Sequence, residues 1–192
     1  EDHRMHLPSV IGHECSGTVW RVGSKVESVK PGDRVAVWPV KSCKECFACK
    51  EGYGHVCQYL KVRGIETEGA FQYAWTLDEE ALVKIPDTVS MLHGALAEPL
   101  AICCHVVKRG NVKKGDFVVV IGGGPIGIMT ALVAKAAGAD VVLSEVNEKR
   151  LKKAAELGIH TVNPVKEDLL DAVINQTLGR GADVVFETSG SQ

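Results

Sequence analysis

Hydrophobic and polar positions follow two different patterns along the chain, and the pattern changes near residue 100. After that point, short apolar runs typical of buried strands alternate with segments of helical periodicity. The predicted strands are 117–121, 141–143, 161–162 and 183–186, and the predicted helices are 125–137, 148–157 and 166–178. This βαβαβαβ order predicts a parallel sheet with helices on both faces.

Before residue 100, the apolar runs are short and end at glycine or proline. The predicted strands here are 18–22, 26–29, 34–37, 70–76 and 82–85. Short strands with this punctuation predict a small barrel or sandwich. Residues 92–107 are predicted to be helical, with a kink or break at Glu98-Pro99. The chain is therefore predicted to form two domains, 1–100 and 101–192.

Composition excludes several classes of function. The 192 residues are 45% hydrophobic and 24% charged, and the net charge is -2. Such a balance provides no basic surface for nucleic acid or an anionic membrane. The uncharged run 117–134 is interrupted by Gly122, Gly123 and Gly124, so a strand, a turn and a helix are predicted rather than a membrane span. Without an apolar leader in the first residues, a cytoplasmic protein is expected.

Four of the seven cysteines lie within fifteen residues, with the spacing C-x2-C-x2-C-x7-C. They are Cys43, Cys46, Cys49 and Cys57. Four thiolates form a closed tetrahedral site, which suits a structural zinc ion, whereas two disulfides are the alternative. The remaining cysteines, Cys15, Cys103 and Cys104, are predicted to be buried apolar thiols.

A glycine motif follows the first apolar strand and opens a helix. The run Gly122-Gly-Gly124-Pro125-Ile126-Gly127 fits G-x-G-x-x-G, which in this context predicts a loop that cradles a dinucleotide pyrophosphate. Glu145 lies 18 residues after Gly127, where an acidic residue would hold the adenosine ribose and favour NAD. Arg150 either covers the adenine or is a solvated helix residue.

Three further residues are candidate ligands of a second metal ion. His13 and Glu14 are adjacent, and neighbouring residues in a strand point to opposite faces, so both ligate only if the strand bends. A buried, hydrogen-bonded His13 is an equally good interpretation. Glu98 lies in an apolar segment beside a proline and needs a partner if it is buried. A metal ion, its bound water or an arginine would each supply one.

These residues together resemble the zinc-dependent medium-chain alcohol dehydrogenases. The resemblance runs in order along the whole chain and is most similar to the polyol branch, which includes sorbitol, threonine and butanediol dehydrogenases. It is carried by Gly-His-Glu-Cys-Ser-Gly at 12–17, Pro-Gly-Asp-Arg-Val at 31–35, the four-cysteine segment, Gly-Ala-Phe-Gln-Tyr at 69–73, Glu-Pro-Leu at 98–100 and the glycine motif.

The resemblance implies a partial GroES-like β-barrel followed by the first half of a Rossmann doubly wound parallel sheet. It implies that His13, Glu14 and Glu98 form the catalytic zinc site: His13 is a ligand, Glu14 is a ligand or lies just behind the ligands, and Glu98 contacts zinc directly or through water. It also implies hydride transfer from a secondary alcohol, a polyol or amino alcohol, to NAD, with zinc as a Lewis acid. A homo-oligomer is expected for the full-length protein.

The chain departs from the family pattern at one ligand. The family places a cysteine ligand upstream of the Gly-His-Glu motif, but none of the twelve residues before His13 is cysteine. The chain is therefore expected to be an internal part of a longer protein and to be inactive alone. A zinc-free quinone-type reductase and a non-catalytic zinc-stabilised nucleotide-binding module are the alternative functions, and metal analysis and a turnover assay separate them.

Overall fold

The computed structural model describes residues 8–190, which divide into two compact units. The first unit ends at Glu98 and the second begins at Pro99. Within residues 8–190, no helix has the length and apolar character that a membrane span requires.

The first unit is built from short antiparallel strands. Its described elements are β1 (Ser16–Thr18), β2 (Arg34–Val37), β3 (Val40–Lys41), α1 (Phe47–Lys50), β4 (Lys61–Val62), β5 (Leu82–Lys84) and α2 (Met91–Ala95). β1, β2 and β5 form one sheet in that order, and β3 pairs with β4. The strand predicted at 34–37 is β2, and its residues Val35, Ala36 and Val37 are buried at the centre of the sheet. The strand predicted at 18–22 overlaps β1 only at Thr18.

Two predicted strands of this unit are wrong. Residues 26–29 form no strand, because the backbone N–H groups of Glu27 and Ser28 donate to the Glu79 carboxylate at 3.0 and 2.8 Å instead of to a neighbouring strand. Residues 70–76 also form none. Their first N–H groups bond to carbonyls of residues 11 and 12, and the chain then bends so that Tyr73 is fully exposed.

The predicted helix at 92–107 is broken, as expected, but the break precedes the proline. α2 ends at Ala95, and α3 (Ala97–Arg109) begins two residues later. Pro99 therefore lies in the first turn of α3, where its missing N–H removes no intrahelical hydrogen bond. This arrangement brings Glu98 to the start of a helix rather than to a kink in its middle.

The second unit is a parallel α/β layer. Its elements are β6 (Phe117–Ile121), α4 (Pro125–Ala136), β7 (Asp140–Ser144), α5 (Glu148–Glu156), β8 (His160–Val162), α6 (Leu169–Gln176) and β9 (Val184–Glu187). The sheet order is β8-β7-β6-β9, and every pairing is parallel. The order predicted from the hydrophobic pattern is therefore confirmed.

Both faces of this sheet are buried, which explains why β6 is apolar at every position. Successive residues of a strand point to opposite faces, so Val118 and Val120 pack in one cluster with α4, whereas Phe117 and Val119 pack in another with Val173 of α6. The carboxyl ends of β6, β7 and β9 consequently share one edge of the sheet, and the loops that follow them lie close together.

Candidate functional site

The four clustered cysteines converge on one point. Their ligating sulfur atoms all lie within 4.8 Å of one another, with Cys46–Cys49, Cys46–Cys57 and Cys43–Cys49 separations of 3.5, 3.8 and 3.9 Å. A tetrahedral zinc ion with Zn–S bonds of about 2.3 Å would hold sulfurs roughly 3.8 Å apart. The geometry fits a zinc site with four thiolate ligands, and the disulfide alternative is not observed, since all four thiols are free.

Backbone N–H groups point at these sulfurs. Cys46 donates its N–H to the Cys43 sulfur at 3.3 Å, and Cys43 and Tyr59 each donate to the Cys57 sulfur at 3.3 Å. Lys44 makes the tight turn between the first two ligands with a left-handed φ of 64°. Such donors stabilise the thiolate form that zinc binds.

The ionisation of these thiols reflects their crowding. Hydrogen bonds from the Cys49 and Gln58 backbones lower the pKa of Cys46 to about 6. Partial burial, followed by contacts with the Cys46 and Cys57 sulfurs, raises the pKa of Cys49 to about 11. Ionisation of one thiol disfavours that of its neighbour, so all four are thiolates only when a cation neutralises them.

A second group of ligand atoms comes from His13, Glu14 and Glu98. One ligating atom of each lies within 4.8 Å of the others. The expectation that His13 and Glu14 lie in a strand is wrong, because β1 begins only at Ser16. Both side chains therefore reach one point without a bent strand. Cys15 does not belong to the group.

Close backbone packing holds the His13 segment in this irregular form. Gly12 has a φ of 96°, and its carbonyl accepts the Ala70 N–H at 2.8 Å. A Cβ on Gly64 or Gly69 would lie 2.2 or 2.4 Å from that same carbonyl oxygen. Only glycines fit where the chain segments around residues 12, 64 and 69 pack together. This packing fixes the backbone conformation of the motif that carries His13.

The Glu98 carboxyl group is the unusual acid of this group. It is half-buried, and burial raises its pKa above the ordinary glutamate value; the charge of His13 lowers it and that of Glu14 raises it. Because burial disfavours the charged form of Glu98, a cation bound beside it would stabilise its carboxylate. The donor set of one imidazole and two carboxylates suits zinc.

The glycine motif has the geometry that a phosphate loop requires. Gly122 adopts a φ of 101°, and a Cβ on Gly127 would lie 1.9 Å from the Gly122 carbonyl oxygen. Gly124 is the N-cap of α4, Pro125 is in its first turn, and no atom lies within 4 Å of a Cβ on Gly124. The N-terminus of α4 is thus open to an incoming anion.

Glu145 lies directly after β7 and is 7% exposed. Its Oε1 accepts the N–H groups of Val146 and Asn147 at 2.8 Å each, and its Oε2 accepts the Gly123 N–H at 2.7 Å and Arg150 at 3.4 Å. Burial raises the pKa of Glu145, but the backbone donors and Arg150 together lower it by more than burial raises it. The pKa of Glu145 is therefore below the usual glutamate value. The carboxylate is therefore ionised near neutral pH.

Sequence reasoning missed three residues that lie at this loop, Gly123, Thr188 and Ser189. Gly123 supplies the N–H that ties Glu145 to the glycine loop. The Thr188 hydroxyl donates to the Ile121 carbonyl at 2.9 Å, and the Ser189 backbone nitrogen would lie 2.8 Å from a Cβ on Gly122. The parallel topology was the available signal, because it brings the end of β9 beside the end of β6.

The remaining cysteines differ from expectation at one position. Cys103 is fully buried and contacts the Ile126 carbonyl at 3.6 Å, and burial raises the pKa of the half-buried Cys15. Cys104 is exposed, so its predicted burial is wrong. The helical repeat explains this, because adjacent positions of α3 point in directions about 100° apart.

Two family matches cover most of the chain. Residues 1–87 match the alcohol dehydrogenase GroES-like domain, and residues 125–192 match the zinc-binding dehydrogenases. A GroES-like part followed by a Rossmann-like parallel sheet defines the class, so the predicted fold class is confirmed. The chain belongs to the zinc-dependent medium-chain alcohol dehydrogenase family.

Relatives of known or assigned activity include polyol and sugar-acid dehydrogenases. The chain is 48% identical to the 2-dehydro-3-deoxy-L-galactonate 5-dehydrogenase of Pseudoalteromonas atlantica, over 98% of the chain and 55% of that protein. It is 36% identical to the sorbitol dehydrogenase of Bacillus subtilis, over 97% of the chain and 54% of that protein. The chain thus spans about half the length of the curated relatives it matches.

A solved structure has the same fold. A zinc-binding dehydrogenase of Sinorhizobium meliloti, determined with bound NADP, superposes with a TM-score of 0.90 at 36% identity, covering 97% of this chain and 56% of that one.

Proposed function

We propose that this chain carries the zinc sites and the dinucleotide site of an oxidoreductase that transfers a hydride from a secondary alcohol to NAD. The observation that carries the proposal is the convergence of His13, Glu14 and Glu98 in a chain that also holds a cluster of four cysteines. A closed site of four cysteines is structural chemistry, whereas an imidazole with carboxylates leaves room for a substrate. The substrate in this proposal is a polyol or an amino alcohol, and the similarity to sorbitol and sugar-acid dehydrogenases supports the polyol.

The two ligand groups have different roles in this proposal. Cys43, Cys46, Cys49 and Cys57 hold a structural zinc ion. His13, Glu14 and Glu98 hold the catalytic one, which when bound supplies a Lewis acid that lowers the pKa of a substrate hydroxyl. His13 ligates as neutral imidazole, and Glu98, whose burial disfavours an isolated charge, gains its partner there.

The dinucleotide is held at the carboxyl edge of the parallel sheet. Gly122, Gly124, Pro125, Ile126 and Gly127 present the N-terminus of α4 to the pyrophosphate. Glu145 accepts the ribose hydroxyls, and its ionised carboxylate repels a 2′-phosphate, so NAD is preferred over NADP. Arg150 completes the site beside Glu145.

Several features of the whole protein belong to the same proposal. Residues 1–100 form its GroES-like catalytic domain and residues 101–192 its Rossmann domain. It acts in the cytoplasm, as a homo-oligomer, on a small-molecule alcohol, and binds neither nucleic acid nor membrane. The low net charge supports the last point.

The decisive experiment combines metal analysis with turnover in the longer protein that contains this chain. Two zinc ions per chain and NAD-dependent oxidation of sorbitol, threonine or 2,3-butanediol are expected. His13→Ala should abolish turnover while one zinc remains. Turnover that survives both His13→Ala and a chelator would favour a zinc-free reductase instead, and two zinc ions without turnover would favour a non-catalytic module.

The 192-residue chain alone is expected to bind zinc and dinucleotide without turnover. Its His13 group contains one histidine, two carboxylates and no thiolate, so its zinc affinity should be weak. Alcohol oxidation by this chain that a chelator abolishes would contradict the expectation and show that these three ligands suffice.

A further inference from the structure

The second ligand group joins two parts of the first unit that are far apart in sequence. His13 and Glu14 lie in the irregular segment directly before β1, and Glu98 is the last residue of that unit. The short helix α2 ends at Ala95, close before Glu98 in the chain. The distance from Glu98 to the other two residues therefore depends on where α2 lies relative to β1.

A side-chain hydrogen bond connects these two parts. The hydroxyl group of Ser16, the first residue of β1, donates to the carbonyl oxygen of Met91, the first residue of α2, at 2.6 Å. Both residues are half-buried. Ser16 closely follows Glu14 in the chain, and Met91 begins the helix that leads to Glu98. The hydrogen bond thus ties together the two chain segments that supply the ligands.

The helix α2 also packs closely on this part of the unit. A Cβ on Gly94 would lie 3.3 Å from the Ser16 Cβ and 2.4 Å from the Ile85 Cδ1. The Arg34 guanidinium, which comes from β2, donates to the Val89 carbonyl shortly before the helix begins. Arg34 therefore attaches the start of α2 to β2, and Ser16 attaches it to the strand that follows the ligand segment.

We propose that Ser16 is a positioning residue of the metal site formed by His13, Glu14 and Glu98. Its hydrogen bond to Met91 holds α2 where the Glu98 carboxyl group reaches the same ion as the other two ligands. This inference rests on the catalytic metal site in the function proposed above. Ser16 contributes no ligand atom, and its hydroxyl group acts through the Met91 carbonyl.

The contribution of Ser16 follows from how such a site gains affinity. Ligands from separate segments bind an ion tightly only if they are held together before it arrives. When the competent arrangement is populated for only part of the time, the apparent dissociation constant rises in inverse proportion. Without the Ser16 hydroxyl group, α2 is free to move away from β1, and Glu98 moves with it. His13 and Glu14 keep their places, because the glycine packing around residue 12 holds them.

Titration of cobalt(II) measures the effect in the longer protein that contains this chain, with zinc already in the four-cysteine cluster. Ser16→Ala should weaken binding at the His13 site about fivefold, since one hydroxyl–carbonyl hydrogen bond is lost. The d–d absorption of bound cobalt(II), which reports its coordination geometry, should change as Glu98 leaves the ion. Alanine fits the space of serine, so the variant is expected to fold, and a denaturant unfolding curve checks this.

Two control variants separate positioning from general stability. Thr18→Val removes a hydroxyl group from the same strand, where the exposed Thr18 side chain makes no hydrogen bond within residues 8–190. Ser90→Ala removes the N-cap of α2, whose side chain accepts the His93 N–H at 3.1 Å. Loss of this cap lowers stability about as much as loss of the Ser16 hydrogen bond, but leaves that bond in place. Cobalt(II) affinity should stay within about twofold of wild type in both controls.

Three results would overturn the proposal. An equal loss of affinity in Ser90→Ala would show that the site depends on the stability of α2 in general. Unchanged affinity and an unchanged cobalt(II) spectrum in Ser16→Ala, with normal binding by the wild-type protein, would contradict this inference alone. Failure of the wild-type protein to bind a second ion beside the zinc of the cysteine cluster would contradict the proposed function as well.

Discussion

The cysteine lobe at 43–57 and the parallel sheet of the second unit are held together by opposite means. In the lobe, Cys57 is the only buried residue, and Phe47, Tyr53 and Val56 are all exposed. In the sheet, Val118, Val120 and Leu143 are completely buried, and the strands pair along their full length. The lobe thus has four converging cysteines but almost no core of its own, whereas the sheet has an apolar core on both faces.

We infer from this contrast that the two regions derive their folding free energy from different interactions. A structural metal site contributes its binding free energy directly to folding, so we expect the lobe to lose order when its metal is removed. The sheet is ordered by apolar burial, and its dinucleotide loop is preformed by backbone packing. Substitutions should therefore affect the two regions independently, because each region packs within its own compact unit.

The largest effect is expected from Cys46→Ser. Loss of one thiolate should release one zinc ion per chain and disorder the lobe, since a structural zinc contributes about 10 kcal/mol or more to such a fold. Metal analysis and amide exchange over 43–57 measure this, and the parallel sheet should keep its protection. Cys104→Ser, which changes an exposed thiol outside the cluster, is the control. Equal zinc content in both variants would refute the assignment of these four cysteines as zinc ligands.

Leu143→Ala should act on the other region only. Leu143 is completely buried in the sheet core, so the substitution is expected to lower the free energy of unfolding by about 2–5 kcal/mol while the zinc content is unchanged. Denaturant unfolding measures it. Leu170→Ala, at a site that is 68% exposed on α6, should cost less than about 0.5 kcal/mol. Loss of lobe zinc in Leu143→Ala would show that the two regions are coupled.

Glu145→Gln should change recognition more than stability. The amide keeps the shape but loses the charge that ribose hydroxyls and the backbone donors bind, so NAD affinity should fall by more than about tenfold, from a loss of about 1.5–3 kcal/mol. NADP affinity should fall less, because repulsion of the 2′-phosphate is also removed. Equilibrium titration of both dinucleotides tests this. Glu148→Gln, whose carboxylate pairs with Lys166 instead, should alter neither.

The smallest effect is a pH dependence of stability. The pKa of Glu145 is lower in the folded protein than in the unfolded chain, so its stabilisation is complete above the unfolded value of about 4.3 and is lost as the pH falls through the folded value. Between about pH 6 and pH 3, the wild-type protein should therefore lose more unfolding free energy than Glu145→Gln. Parallel curves for the two proteins would show that the folded-state pKa of Glu145 is ordinary.

Prediction from sequence succeeded best where burial on both faces leaves a strong signal. The run 117–121 is β6 with the predicted bounds, and the helix predicted at 125–137 ends one residue earlier, at Ala136. In the first unit the strands are only two to four residues long, so each leaves a weak pattern in the sequence. The Glu79 carboxylate accepts the N–H groups of residues 27 and 28, so these groups do not pair with a strand. No local sequence pattern predicts this contact.

The order of elements, the four-cysteine cluster and the glycine loop could be predicted from the sequence, because each depends on the spacing of residues that are near one another in the chain. Residue spacing did not place Glu98 beside His13 and Glu14, because these residues are more than eighty positions apart; the family resemblance implied the grouping, and the packing of the first unit brings it about. Tertiary structure also decided that Glu145 binds Gly123 and Arg150. Long-range contacts of this kind follow from the packing of the whole fold, and the local periodicity that predicts helices and strands does not contain them.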